Sequence, residues 1–220
     1  MSPSNYAAVI RDNLQSAFQV GEAVLSERLK ARSEAGELAF KAFGAECLLG
    51  RDGVRLNDET AQGPRGVIIS LLARHARPTA CIEEPWRAFR ELPDSMPYVG
   101  AFRSHTELPL IPHVEDIRTR SSAIVAGLGG SIPERPVSGD FNLVLQPLPK
   151  IRLCYLFYRP DDEFPAQAIC LFSANAQHFL PTDALADVGE YTSRAMMDML
   201  GCGGMNRTAG AMAPAPGSLT

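Results

Sequence analysis

The chain has 220 residues, of which 45% are hydrophobic and 21% charged, and its mean hydropathy is −0.05. That composition is globular and large enough to bury a core; it excludes collagen, fibres, solenoid arrays and a chain too polar to fold. Twenty-one basic and 25 acidic residues leave a net charge of −4 with neither sign gathered into a block, so neither nucleic acid nor a membrane surface is an expected partner.

Arg11 and Asp12 interrupt the first twenty residues, which argues against a signal peptide or membrane anchor there. The five cysteines, Cys47, Cys81, Cys154, Cys170 and Cys202, show no CxxC spacing. Scattered thiols of this kind are small buried hydrophobes of a reducing compartment, so a cytoplasmic location is expected and a closed zinc site is not.

Taken in chain order, Ile10, Leu14, Phe18, Leu25 and Leu29 recur every three to four or seven residues, which predicts an amphipathic helix with Ser2 as its cap and Pro3 in its first turn. A second helix is expected over Glu34–Phe43, capped by Ser33 and stopped by Gly44, giving a helical lead-in over 1–44. Arg51-Asp52-Gly53 between the short apolar runs 46–49 and 54–56 signals a hairpin, and Gly66–Ala76 reads as a buried helix. Six prolines punctuate Arg77–Pro112, a long loop whose aromatics Trp86, Phe89, Tyr98 and Phe102 can wrap it on the core.

Another helix is expected over 112–128, ending at Gly129-Gly130, followed by a linker over 131–139. Three strands follow, at 141–145, 151–158 and 166–172, and their short connections require antiparallel pairing. Thr182 is the expected cap of a helix over 183–200, with Leu185, Val188, Met196 and Met199 inward and Gly201 beyond its end; 203–220 reads as a flexible tail. The sum is one α+β domain over 1–202, with a helical N-terminus over 1–44, a small antiparallel sheet packed with helices over 45–202, and a C-terminal helix.

Asp161-Asp162-Glu163 can bind a hard cation or serve acid–base chemistry, but its simpler role is a hairpin connection in which Asp bonds the local backbone. A hairpin symmetric about Asp162 would set Cys154 opposite Cys170, a pair suited to redox or soft-metal chemistry, although a one-residue slip would separate them. Of the four histidines, His105 and His113 bracket a proline-rich stretch and can offer axial nitrogens to a metal or tetrapyrrole. Gly127-Leu128-Gly129-Gly130 follows a helix instead of a strand, so it is no nucleotide loop, and no GxSxG elbow is present. The most distinctive set is Trp86, Arg87, Arg90, Tyr98, Arg103, His105 and His113, because guanidiniums beside aromatic rings clamp carboxylates or planar ligands.

The stretch from Leu156 through Arg159-Pro160-Asp161-Asp162 to Ala166, then Leu171-Phe172, Phe179-Leu180-Pro181-Thr182-Asp183-Ala184-Leu185-Ala186 and Gly189-Glu190, resembles an uncharacterised prokaryotic domain family. Phe89-Arg90-Glu91-Leu92-Pro93 and Leu148-Pro149 belong to the same resemblance, which spans roughly 60–200. It implies a domain common in anaerobes and sometimes fused behind a four-cysteine iron–sulfur module. That cofactor does not carry over, since the first cysteine here is Cys47 and it stands alone. Asp94-Ser95-Met96 also replaces the glycine-rich loop that the family carries after Leu-Pro.

The resulting expectation is an accessory or binding protein that takes a small molecule or protein partner through the loop residues Trp86, Arg87, Arg90, Tyr98, Arg103, His105 and His113. One alternative is a metal- or tetrapyrrole-dependent enzyme or cofactor carrier built on His105, His113 and the acidic turn. A third is a structural subunit of a larger complex. The sequence assigns no catalytic residue, cofactor or oligomeric state.

Overall fold

The computed structural model describes residues 3–202. The first apolar repeat folds as two helices. Helix α1 (Pro3–Ala17) runs into one 3-10 turn, and Gly21, at φ +90°, redirects the chain into α2 (Glu22–Leu29). Ser2, the expected cap, lies outside the described residues, as does the expected tail over 203–220.

The helix expected over Glu34–Phe43 is replaced by strands. Strands β1 (Arg32–Glu34), β2 (Glu37–Ala42), β3 (Ala45–Leu49), β4 (Val54–Leu56) and β5 (Glu59–Thr60) form an antiparallel meander in chain order. Leu38, Phe40 and Ala42 follow the period of two of a strand, and Ala35-Gly36 and Phe43-Gly44 are two-residue turns with positive φ at both positions. Such mirror-image turns match the twist of paired strands, so Gly44 closes a hairpin and stops no helix. Asn57-Asp58 repeats the device between β4 and β5. The lead-in is therefore helical only as far as Leu29.

The expected buried helix is α3 (Pro64–Arg74). It packs on α1, where Asn13 donates to the Ser70 hydroxyl at 3.1 Å and accepts from Arg74 at 3.0 Å. The helix expected over 112–128 begins later and breaks at Arg120, giving α5 (Val114–Thr119) and α6 (Ser121–Leu128).

A second antiparallel sheet has the order β6 (Arg87–Ala88), β10 (Gln167–Phe172), β9 (Ile151–Tyr158), β8 (Phe141–Leu148), β7 (Gly130–Ser131). Alternation along β9 sends Leu153, Tyr155 and Phe157 into the main core, which extends from Ile10 to Leu200, and Cys154, Leu156 and Tyr158 to the outer face. Helix α7 (Thr182–Met199) lies across the inner face, where the Tyr155 hydroxyl is 3.3 Å from the Gly189 carbonyl and 3.1 Å from Ser193 Oγ. Thr182 does not cap α7: Pro181 holds that position, and the Thr182 hydroxyl donates to the Pro93 carbonyl at 2.7 Å.

Cys154 and Cys170 are not cross-strand partners. The strands pair Tyr158 with Gln167, leaving an eight-residue connection whose midpoint falls between Asp162 and Glu163; Cys170 opposes Tyr155, and Cys154 opposes Leu171. That slip sends the two thiols to opposite faces of the sheet. Among the described residues no helix is long and apolar enough to cross a membrane.

Candidate functional site

The proline-punctuated loop leaves α3 and runs along the second sheet, and its first half is fastened by polar side chains. Buried Lys150, in the β8–β9 turn with φ +62°, donates to the carbonyls of Arg77 and Thr79. Asn175 accepts from the Ile82 N–H at 2.8 Å and donates to the Ala80 carbonyl at 2.9 Å, while Arg152 pairs with Glu83. The bonds from Lys150 and Asn175 satisfy backbone groups that a loop without regular structure would otherwise leave unpaired.

The second half is fastened by rings. Phe89 and Phe102, both buried, stack with centroids 4.3 Å apart and planes 10° apart, and both tilt onto Phe172 of β10. Each ring is followed in sequence by an exposed arginine, Arg90 and Arg103. After the short α4 (Val99–Phe102), residues Arg103–Glu107 form a π-helical turn, a geometry that concentrates at functional sites. The turn exposes Arg103 and His105 and directs Thr106 inward.

His105 Nδ1 lies 3.2 Å from Glu190 Oε2 on α7, and the other oxygen of Glu190 accepts from Arg194 at 2.5 Å. Thr106 is fully buried, and its hydroxyl has no hydrogen-bond partner. It packs against Gly189, where a β-carbon would lie 2.6 Å from the Phe102 ring and 3.1 Å from the Thr106 methyl, so only glycine lets the turn approach α7 this closely. Glu107 Oε1 accepts the Cys170 N–H at 3.1 Å. Burial pushes the Glu107 carboxyl above its usual range, against the opposing pull of that N–H and of the nearby Arg103 and Arg90 guanidiniums. Behind it, burial holds the Cys170 thiol and the Tyr155 hydroxyl far up, so both are protonated at neutral pH.

The seven loop residues singled out from sequence fall into separate places. Arg90 and Arg103 both favour the charged form of the Glu107 carboxyl, and His105 stands on the same turn as Arg103 and Glu107. Arg87 is exposed on the edge strand β6. Tyr98 is partly exposed at the start of α4. Trp86 lies on the outer face of the second sheet, packed with Tyr158, Ile169 and Leu171 over Val144, Cys154 and Leu156. His113 is remote from His105: its Nδ1 lies 3.7 Å from Cys202 Sγ and 3.7 Å from Asp116. Glu107 and Thr106 escape sequence reasoning, because what singles them out is contact with Cys170 and Gly189, more than sixty residues away.

The acidic turn serves its own backbone. Asp161 accepts from the N–H groups of Glu163 and Phe164 at 2.9 and 2.7 Å, which hold its carboxyl low, and the neighbouring Arg159 pairs with Glu115 on α5. No group of three or more His, Cys, Asp or Glu side chains among the described residues is arranged to hold a metal ion. Two clefts lie away from the loop. One, of about 350 Å³, is lined by Gln62, Gly63, Arg65 and Tyr191 beside the start of α3, and one of about 440 Å³ lies over Glu37, Arg51 and Arg55 of the first sheet.

The family model described as "Domain of unknown function (DUF3786)" matches residues 23–195. No curated protein and no solved structure matches the chain.

Proposed function

We propose that this chain, which belongs to the DUF3786 family of domains of unknown function, is a cytoplasmic binding module that takes a small molecule on the second half of its long loop. The observation that carries this reading is the stacked Phe89–Phe102 pair. It fixes the backbone beneath Arg90, Arg103 and the π-helical turn, so polar side chains stand exposed on a support that is already ordered. A rigid support lowers the entropy cost of capturing a ligand. The five unpaired cysteines support the cytoplasmic setting.

The reading is tested by recording amide NMR spectra of the protein against mixtures of small polar metabolites. Shifts clustered over Phe89–Glu107 and on the facing turn of α7 are expected. Ligand shifts confined to the clefts beside α3 or over the first sheet would overturn it.

A second reading, a subunit of a larger assembly, is favoured by the outer face of the second sheet. Trp86, Tyr158, Ile169 and Leu171 are only partly buried there, and Phe164 in the adjoining turn is 62% exposed. Retention of a defined complex by wild type and its loss in Trp86→Ser, measured by native mass spectrometry from the source cells, would promote that reading.

A further inference from the structure

We infer that Cys202 is a modification site: its thiol, seated against the His113 imidazole, is oxidised by hydrogen peroxide to a sulfenic acid. The site lies at the end of α7, apart from the loop surface proposed to take a ligand, and stands whether or not that surface does.

Both partners are held in place. Gly201, at φ +82°, turns the chain back after α7, so that the Gly201 N–H donates to the Asp198 carbonyl and the Cys202 N–H to the Met197 carbonyl, both at 3.0 Å. This is the helix end in which the residue after a left-handed glycine folds back on the last turn, and it packs Cys202 against the main core. His113 ends the 3-10 turn Leu108–His113, and buried Leu110 and Val114 fix the backbone around it. Arg120, between α5 and α6, donates to the Met199 carbonyl at 3.1 Å and ties the two regions together.

Three groups meet at one nitrogen: His113 Nδ1 lies 3.7 Å from Cys202 Sγ and 3.7 Å from Asp116 Oδ2. With its own proton on Nε2, the ring can accept the thiol proton at Nδ1, and the positive charge that results faces the Asp116 carboxylate. The Arg120 guanidinium sits on the carbonyl end of α7, whose partial negative charge would otherwise oppose a thiolate there.

The five thiols are unequal. Burial pushes Cys47 and Cys154 up to about 12 and Cys170 well above the usual thiol range, so those three stay protonated and shielded. Cys81 and Cys202 are half-buried, and among the described residues it is Cys202 that has an imidazole within hydrogen-bond range of its sulfur. The thiol proton passes to His113 Nδ1 as sulfur attacks one peroxide oxygen. The S–O bond forms as the O–O bond breaks, and the leaving hydroxide takes the proton from Nδ1 and departs as water. Sulfur is oxidised by two electrons, and the peroxide is reduced by the same two.

The test is exposure of the reduced full chain to hydrogen peroxide with dimedone, which captures sulfenic acids, followed by peptide mass spectrometry. In wild type Cys202 should label at least tenfold faster than Cys81, short of the roughly hundredfold that a well-placed base contributes because the contact is long. Cys47, Cys154 and Cys170 should stay unlabelled, which reports in the same spectrum that the chain is folded. His113→Gln should bring Cys202 down to the Cys81 rate with the circular dichroism spectrum unchanged. Equal rates at Cys202 and Cys81 in wild type, a comparison that needs no variant, would overturn the inference, and so would an undiminished Cys202 rate in folded His113→Gln.

Discussion

Between Arg77 and Ala88 the loop is tied to the second sheet by Lys150, Asn175 and the Arg152–Glu83 pair, whereas between Phe89 and His113 buried rings and aliphatic side chains carry the packing, with hydrogen bonds from Thr182 to the Pro93 carbonyl and from the Cys170 N–H to Glu107 beside them. The first half thus has its backbone groups bound by polar side chains that stand outside the loop, Lys150 and Asn175. The second half buries Phe89, Phe102 and Leu110 and leaves Arg90, Arg103 and His105 uncommitted to the backbone. A segment held by hydrophobic anchors is free to turn its charges outward, and that is where a ligand site can form without loosening the fold.

The largest expected effect comes from breaking the ring anchor. Phe102→Ala removes the face on which Phe89 stacks and opens a cavity beside Phe172, so urea denaturation should show a loss of about 3–5 kcal/mol. A loss under about 1 kcal/mol would mean that the site collapses around the deletion and that the rings are not what orders this half. The corresponding polar cut, Asn175→Ala, leaves the Ala80 carbonyl and the Ile82 N–H without their partner and should cost about 1–3 kcal/mol. Hydrogen exchange sharpens the contrast: the Ile82 amide should lose protection in Asn175→Ala while amides over 99–107 keep theirs.

Those two halves were not equally legible. The aromatic and arginine content of the loop stands in the sequence and marks Trp86–His113 as a surface of interest, without separating Trp86 and Arg87 of the first half from the residues of the second. The stacking of Phe89 on Phe102, the approach of Thr106 to Gly189 and the anchoring of Glu107 by Cys170 are tertiary contacts with no local signature, and nothing at Arg103–Glu107 announces a π-helical turn. The same division runs through the fold. Strand β9 and helices α3 and α7 follow from their own periodicity or apolar runs, and the family resemblance, read over roughly 60–200, falls within the stretch 23–195 that the family model matches except at its carboxy-terminal end. The segment 34–43 reads as a helix in the sequence because Leu38, Phe40, Ala42 and Phe43 fit helical and alternating patterns alike; Ala35-Gly36 and Phe43-Gly44 decide the matter only when positive φ at both residues is known. The cysteine register is open in the sequence for a similar reason, since one residue of turn length is invisible until Tyr158 is seen opposite Gln167.

A smaller effect distinguishes strain from hydration within the aromatic half. Thr106→Val keeps the shape of the side chain and deletes the unpartnered hydroxyl, so the protein should gain about 1 kcal/mol in chemical denaturation. A loss instead of a gain would show that the hydroxyl is hydrogen-bonded in solution.

The smallest effect is electrostatic and reads the same turn through its pH dependence. Burial raises the Glu107 carboxyl above its unfolded value, so between those two values the folded protein holds a proton that the unfolded chain has released. Stability contributed by this group is therefore present below the usual glutamate range and is lost as pH rises through it toward the raised folded value. Because the side chain is partly exposed and two arginines offset its burial, the slope is shallow. Thermal melts of wild type and Glu107→Gln from pH 4 to 8 isolate it: the difference in midpoint should move in favour of the variant as pH rises. A difference that stays flat would place Glu107 in water, without the anchored position beside Cys170 from which it opposes Arg90 and Arg103.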